Sequence, residues 1–108
     1  MILQVVSLND LSMATREEQE KRIKARIAKI AAGPRSVLFS EIDWVMTHLR
    51  DDLGYDVRRT GENQHYTYTV SGFPPFRVVD HHRGQSQVKR VYVEAFLSRM
   101  IDLELLEG

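Results

Sequence analysis

A chain of 108 residues with 43% apolar and 28% charged side chains fits one domain around a single modest core, and excludes a disordered polymer or two independent domains. Fifteen basic and fifteen acidic residues cancel, so no global charge draws the chain to polyanions. The absence of cysteine excludes disulfides, thiolate metal sites and a cysteine nucleophile, and fits a reducing cytoplasmic location.

The charge is unevenly spread. Residues 1–54 hold eight Lys/Arg and eight Asp/Glu. Residues 55–100 hold seven basic side chains (Arg58, Arg59, Arg77, Arg83, Lys89, Arg90, Arg99) against four acidic ones (Asp56, Glu62, Asp80, Glu94), a local +3. Three acids in 101–108 restore neutrality. Such a local excess, with His81 and His82 beside it, can support phosphate contact.

Residues 1–6 are mostly apolar but form a short run with no basic leader, and Asn9 and Asp10 follow, which is not a signal-peptide pattern. No run approaches membrane-span length, so no membrane association is expected. Residues 1–14 read as an extended or frayed lead-in. Thr15 and Glu18 have capping-box spacing, and Arg16 to Ala32 is rich in helix formers, so a helix is predicted over about 16–32. Ile23, Ile27 and Ile30, with Ala31, form one narrow apolar stripe that can pack on the domain core or on a second copy of itself. Gly33 and Pro34 end this extension, residues 1–35, and the main domain is expected over 36–108.

Ser40 is in position to cap a second helix from Glu41 to about Leu53, with Ile42, Val45, Met46, Leu49 and Leu53 on one face, Trp44 at its flank and Gly54 at its end. His48 reads as a surface or boundary residue of that helix. Three strands follow: Tyr55 to Arg59, His65 to Val70 and Phe76 to Asp80, the last two separated by turn residues 71–75. Short links predict an antiparallel meander. With period two, Tyr66, Tyr68, Val70, Phe76 and Val78 cover the helices, and His65, Thr67, Arg58 and Arg77 share the opposite, open face. A polar loop over 81–87 leads to a last helix from about Lys89 to Leu105, whose broad apolar face includes Val93, Phe96, Leu97, Met100 and Ile101. Lys89 and Arg90 fall in its first turn, where cations oppose the helix dipole and invite an anion. The fold class is therefore α+β: an α-β-β-β-α domain with a three-stranded antiparallel sheet on two helices, plus the N-terminal helix.

No metal-ligand spacing, glycine-rich phosphate loop or nucleophile elbow occurs, and no cofactor is implied. The remaining chemistry is a histidine-and-arginine surface. An imidazole that titrates near neutral pH can take a proton from an RNA 2′-hydroxyl or give one to the leaving oxygen, while cations stabilise the phosphorane.

The order helix, three strands, helix, joined to the run from Leu53 through Gly61 and on to His65-Tyr66-Thr67-Tyr68, resembles the HicA family of bacterial toxins. Those are small ribonucleases with a fold similar to the double-stranded-RNA-binding domain. The run from Phe76 to Gln85 and the helix after it fit the family's closing pattern, and the resemblance covers about residues 38–103. It implies that His65 is the catalytic histidine, with Tyr68 at the aromatic position three residues later. It also makes Gly61 the turn glycine and His82 a second histidine before the last helix. Arg58, Arg59, Arg77, His82, Lys89 and Arg90 become candidate RNA contacts, and a HicB-like antitoxin the implied partner. Where the family usually has glycine, serine and histidine in succession, this chain has Gly61-Glu62-Asn63-Gln64-His65, a longer turn without the serine. Three classes stay open on the residues alone: a HicA-like endoribonuclease, a non-catalytic RNA-binding relative, and an interaction domain that recruits a partner or a second copy. The N-terminal helix has one further expected role, packing across the basic face to regulate access.

Overall fold

The computed structural model describes residues 8–80 and 87–108, with side chains from residue 15 onward. The elements run α1 (Leu8–Ala32), α2 (Phe39–Asp51), β1 (Val57–Glu62), β2 (His65–Val70), β3 (Phe76–Val79) and α3 (Arg90–Asp102). The strands form one antiparallel sheet in the order β1-β2-β3, so the α+β expectation holds.

Helix α1 begins eight residues earlier than its predicted start, and Thr15 lies inside it rather than at a cap. Leu8, Leu11, Met13 and Ala14 favour helix, Asp10 suits the positive end of the dipole, and extending an existing helix upstream adds a hydrogen bond per residue fixed. Ile23, Ile27 and Ile30, spaced to lie on one face, are at most 3% exposed. They pack into the chain's own core against α2 and α3, so this stripe covers the helical layer and does not cross the open face of the sheet.

Helix α2 also starts early, with Leu38 at the N-cap and Ser40 inside the first turn. The Leu38 amide donates to the Glu41 carboxylate at 2.9 Å, so one orphan donor of the helix start is satisfied without a hydroxyl cap. Ile42, Val45, Met46 and Leu49 are buried as the periodicity predicts, and Gly54 takes a positive φ of 76° just past the helix end. Val37 and Val88, linked by an amide-to-carbonyl bond of 2.7 Å, tie the entry to α2 to the entry to α3.

On the helix-facing side of the sheet a run of rings crosses the core. Phe39 stacks on Tyr66 at 4.8 Å, Tyr68 stacks on Phe76 at 5.4 Å, and Phe76 meets Phe96 of α3 edge-on at 6.1 Å. Val93, Phe96 and Met100 are buried on α3. That helix is shorter than expected, starting after an N-cap at Lys89 and ending at a C-cap at Leu103, although Leu105 is still buried. Among the described residues no helix is long and apolar enough to cross a membrane.

Candidate nucleic-acid interface

The hairpin joining β1 to β2 decides what lies beside His65. Strand β1 runs through Thr60, Gly61 and Glu62, three residues beyond its predicted end. The connection is a two-residue turn at Asn63 and Gln64, with φ of 55° and 69°. Two consecutive left-handed residues match the right-handed twist of a hairpin, so the turn is tight rather than long. Gly61 is accordingly not the turn glycine: it sits in β1 opposite Tyr66, with φ 127°. A β-carbon there would lie 2.0 Å from the His65 carbonyl oxygen, which is why the position is glycine.

Direct cross-strand partners share a face, so the register sorts the candidates. Arg58 pairs with Thr69, Thr60 with Thr67, and Thr67 in turn with Arg77. His65 pairs with Glu62 on one side and Val79 on the other. Arg58, Thr60, Glu62, His65, Thr67, Thr69, Arg77 and Val79 therefore occupy the face turned away from α2 and α3. His65, Arg58 and Arg77 are exposed, Thr67 and Thr69 half-buried, and Val79, beside His65, is buried. Arg58 reaches Asp56 only at 3.8 Å, with both side chains largely in water, so it remains free to meet a ligand.

The other candidates divide. Arg59 is on the helix-facing side, where its Nη1 donates to Asp43 Oδ1 at 2.9 Å and its guanidinium lies over the Tyr66 ring at 5.2 Å. Tyr68, three residues after His65, points to the face opposite it and donates its hydroxyl to the same Asp43 oxygen at 2.7 Å. Burial and the bond to Asp43 push the Tyr68 hydroxyl well above the ordinary tyrosine range, so it stays a neutral donor. Partial burial is the largest single influence and opposes the charge on Arg59, but Asp43 and Tyr68 together outweigh it and hold the guanidinium above its ordinary value. Arg90, in the first turn of α3, donates to Glu94 at 2.8 Å, one turn on; this ion pair offsets its unfavourable place on the dipole without an outside anion. Lys89 is exposed at the N-cap. His82 lies outside the described residues.

Two groups were missed in the sequence. Asp43 joins Arg59 and Tyr68, and helical spacing alone puts Asp43, Thr47 and Arg50 along one side of α2, which is the signal that would have found it. His48 is a boundary residue, as expected, but with unforeseen partners: it stacks on Trp44 at 3.9 Å and its Nδ1 lies 2.7 Å from the Trp44 carbonyl oxygen. A carbonyl only accepts, so Nδ1 carries the proton. Arg26 of α1 covers the same indole at 4.5 Å, which ties α1 to α2 through a cation–π contact.

The fold and site thus define an α+β domain whose sheet presents a polar face carrying two exposed arginines, three threonines, a histidine and a glutamate. Compared with protein-family profiles, curated proteins and solved structures, the chain has no match.

Proposed function

We propose that this protein binds RNA on the open face of its sheet and cleaves it without a metal ion, as a HicA-like endoribonuclease with His65 moving the proton. The observation that carries the reading is the strand register, which gathers His65, Arg58, Arg77 and the three threonines on the face that α2 and α3 leave uncovered. Guanidinium and hydroxyl groups spaced along a sheet suit the phosphates and 2′-hydroxyls of an RNA backbone, with little dependence on base identity. The order α2-β1-β2-β3-α3 is also the order that the HicA resemblance implies. On that face an exposed imidazole takes the 2′-hydroxyl proton as the oxygen attacks the adjacent phosphorus, or protonates the departing oxygen, while Arg58 and Arg77 stabilise the added negative charge. The substrate would be cytoplasmic RNA and the partner a HicB-like antitoxin that neutralises the activity.

The test is cleavage of RNA by purified protein in the presence of a chelator across pH 5–8. Scission by the wild-type chain, abolished in a folded His65→Ala variant, is the expected result; RNA left whole at every pH removes the catalytic role. A second reading, RNA binding without scission, is favoured by Glu62, the direct cross-strand neighbour of His65, whose carboxylate repels a phosphate at the place where the imidazole would act. Salt-sensitive binding with intact RNA selects that reading.

A further inference from the structure

A cleft of about 500 Å³ lies between α2 and β1, on the helix side of the strand and apart from the open face. Asp43, Thr47 and Arg50 line it from the helix and Arg59 from the strand; Arg58 and Thr60 border it as well, with side chains that alternate toward the open face. Its size is that of sites which hold a nucleotide-sized ligand. We infer that this cleft binds a phosphate group, carried by a free nucleotide or by a nucleic acid.

Two guanidinium groups, those of Arg50 and Arg59, border the cleft, and their present partners differ in strength. Arg59 is the fixed one. Asp43 takes one of its donors and Tyr66 supports its plane, so its remaining N–H groups are held in place before any ligand arrives. Asp43 is itself engaged twice, by Arg59 and by Tyr68 on the same oxygen, which restrains the one carboxylate of the lining. Arg50 is held only by an exposed neighbour: it meets Asp51 at 2.8 Å with both side chains 54% exposed. A pair of that kind is worth little in water, whereas a phosphate held between two guanidinium groups forms short, charge-assisted bonds. The two partners exchange without a large penalty. The hydroxyl of Thr47 supplies a further donor. The backbone contributes as well. The Ser71 amide donates to the Asp56 carbonyl, so residue 56 faces β2 and, by alternation, the Arg59 amide faces the free edge of the sheet beside the cleft. Among the described residues no strand pairs with that edge.

The inference goes beyond the open-face reading and fails separately from it. Amide spectra of the full 15N-labelled chain in chloride buffer are titrated with inorganic phosphate, with 5′-AMP and with a short 5′-hydroxyl RNA. Saturable shifts centred on Thr47, Arg50, Arg59 and Thr60 are expected, and Arg50→Ala is expected to weaken phosphate or 5′-AMP affinity by about tenfold. Tighter binding of 5′-AMP identifies a phosphomonoester as the occupant, and tighter binding of the RNA identifies an internal phosphodiester; either result upholds the site. Arg77→Ala, on the open face, is expected to leave the cleft's phosphate affinity unchanged. Shifts spread evenly over all exposed cations, or an affinity that Arg50→Ala leaves untouched, overturns the site. Loss of RNA binding in Arg77→Ala with cleft binding intact separates the two surfaces.

Discussion

At the scale of single residues, Asp43, Arg59 and Tyr68 form the most constrained polar contact joining α2 to the sheet. Tyr68 is 1% exposed, so its hydroxyl has no water to fall back on. Replacing it with phenylalanine removes one hydrogen bond and should cost about 1 kcal/mol, whereas Asp43→Ala strands the hydroxyl and should cost about 1–3 kcal/mol; denaturant unfolding of both variants measures the difference. The same contact predicts a pH dependence. The folded hydroxyl ionises above its unfolded value near 10, so its stabilising effect is complete below about pH 10 and is lost as pH rises beyond it. The wild-type chain should therefore lose stability above pH 10 more steeply than Tyr68→Phe. Gly61 makes a second sharp prediction. Any β-carbon there meets backbone rather than a movable side chain, and φ of 127° is strained for every other residue, so Gly61→Ala should destabilise by about 1–3 kcal/mol or shift the hairpin register, visible in cross-strand NOEs between Gly61 and Tyr66.

At the scale of elements, hydrophobic spacing was the most legible feature. Period 3.6 in α2 and period two in β2 gave the correct faces because both elements bury one side against the same core. Boundaries were less legible, for physical reasons that differ by site. Gly61 drew the expected turn to itself, whereas Asn63 and Gln64 accept left-handed backbone to make a two-residue hairpin; glutamine is an uncommon choice there, so no local cue announced it. Thr15 and Glu18 have the spacing of a cap, but Leu8 to Ala14 carry the helix past them. Ser40 was displaced by Leu38, because the Glu41 carboxylate can satisfy a helix-start amide without a hydroxyl. Which of its two expected partners α1 takes, the domain core or a second copy, was not legible, since a stripe of three isoleucines fits any apolar surface. Its true place gives a prediction. Because Ile23, Ile27 and Ile30 belong to the main core, Ile27→Ala should cost about 2–5 kcal/mol, and removing residues 1–35 should lower the melting temperature sharply or cause aggregation. A truncated chain with unchanged stability would mean that α1 is dispensable to the core.

At the scale of the whole molecule, the helical layer and the open sheet face divide the labour. Helices α1, α2 and α3 close the core on one side, and the sheet is left to carry exposed polar chemistry on the other. Neutral net charge is compatible with that division, because the proposed interface needs a local cluster rather than a global field. Of the candidate site, the strand period revealed that His65, Arg58 and Arg77 share a face; the tertiary contact of Arg59 with Asp43, sixteen residues apart, was beyond any local pattern. The most direct test of the open-face interface is the salt dependence of RNA affinity in the wild-type chain, Arg58→Ala and Arg77→Ala. The account predicts binding that weakens linearly on a log–log plot against salt, with each substitution lowering the slope by about 0.7–0.9, as expected for one lost phosphate contact. RNA binding that is absent at low salt, or a slope unchanged in both variants, would contradict it.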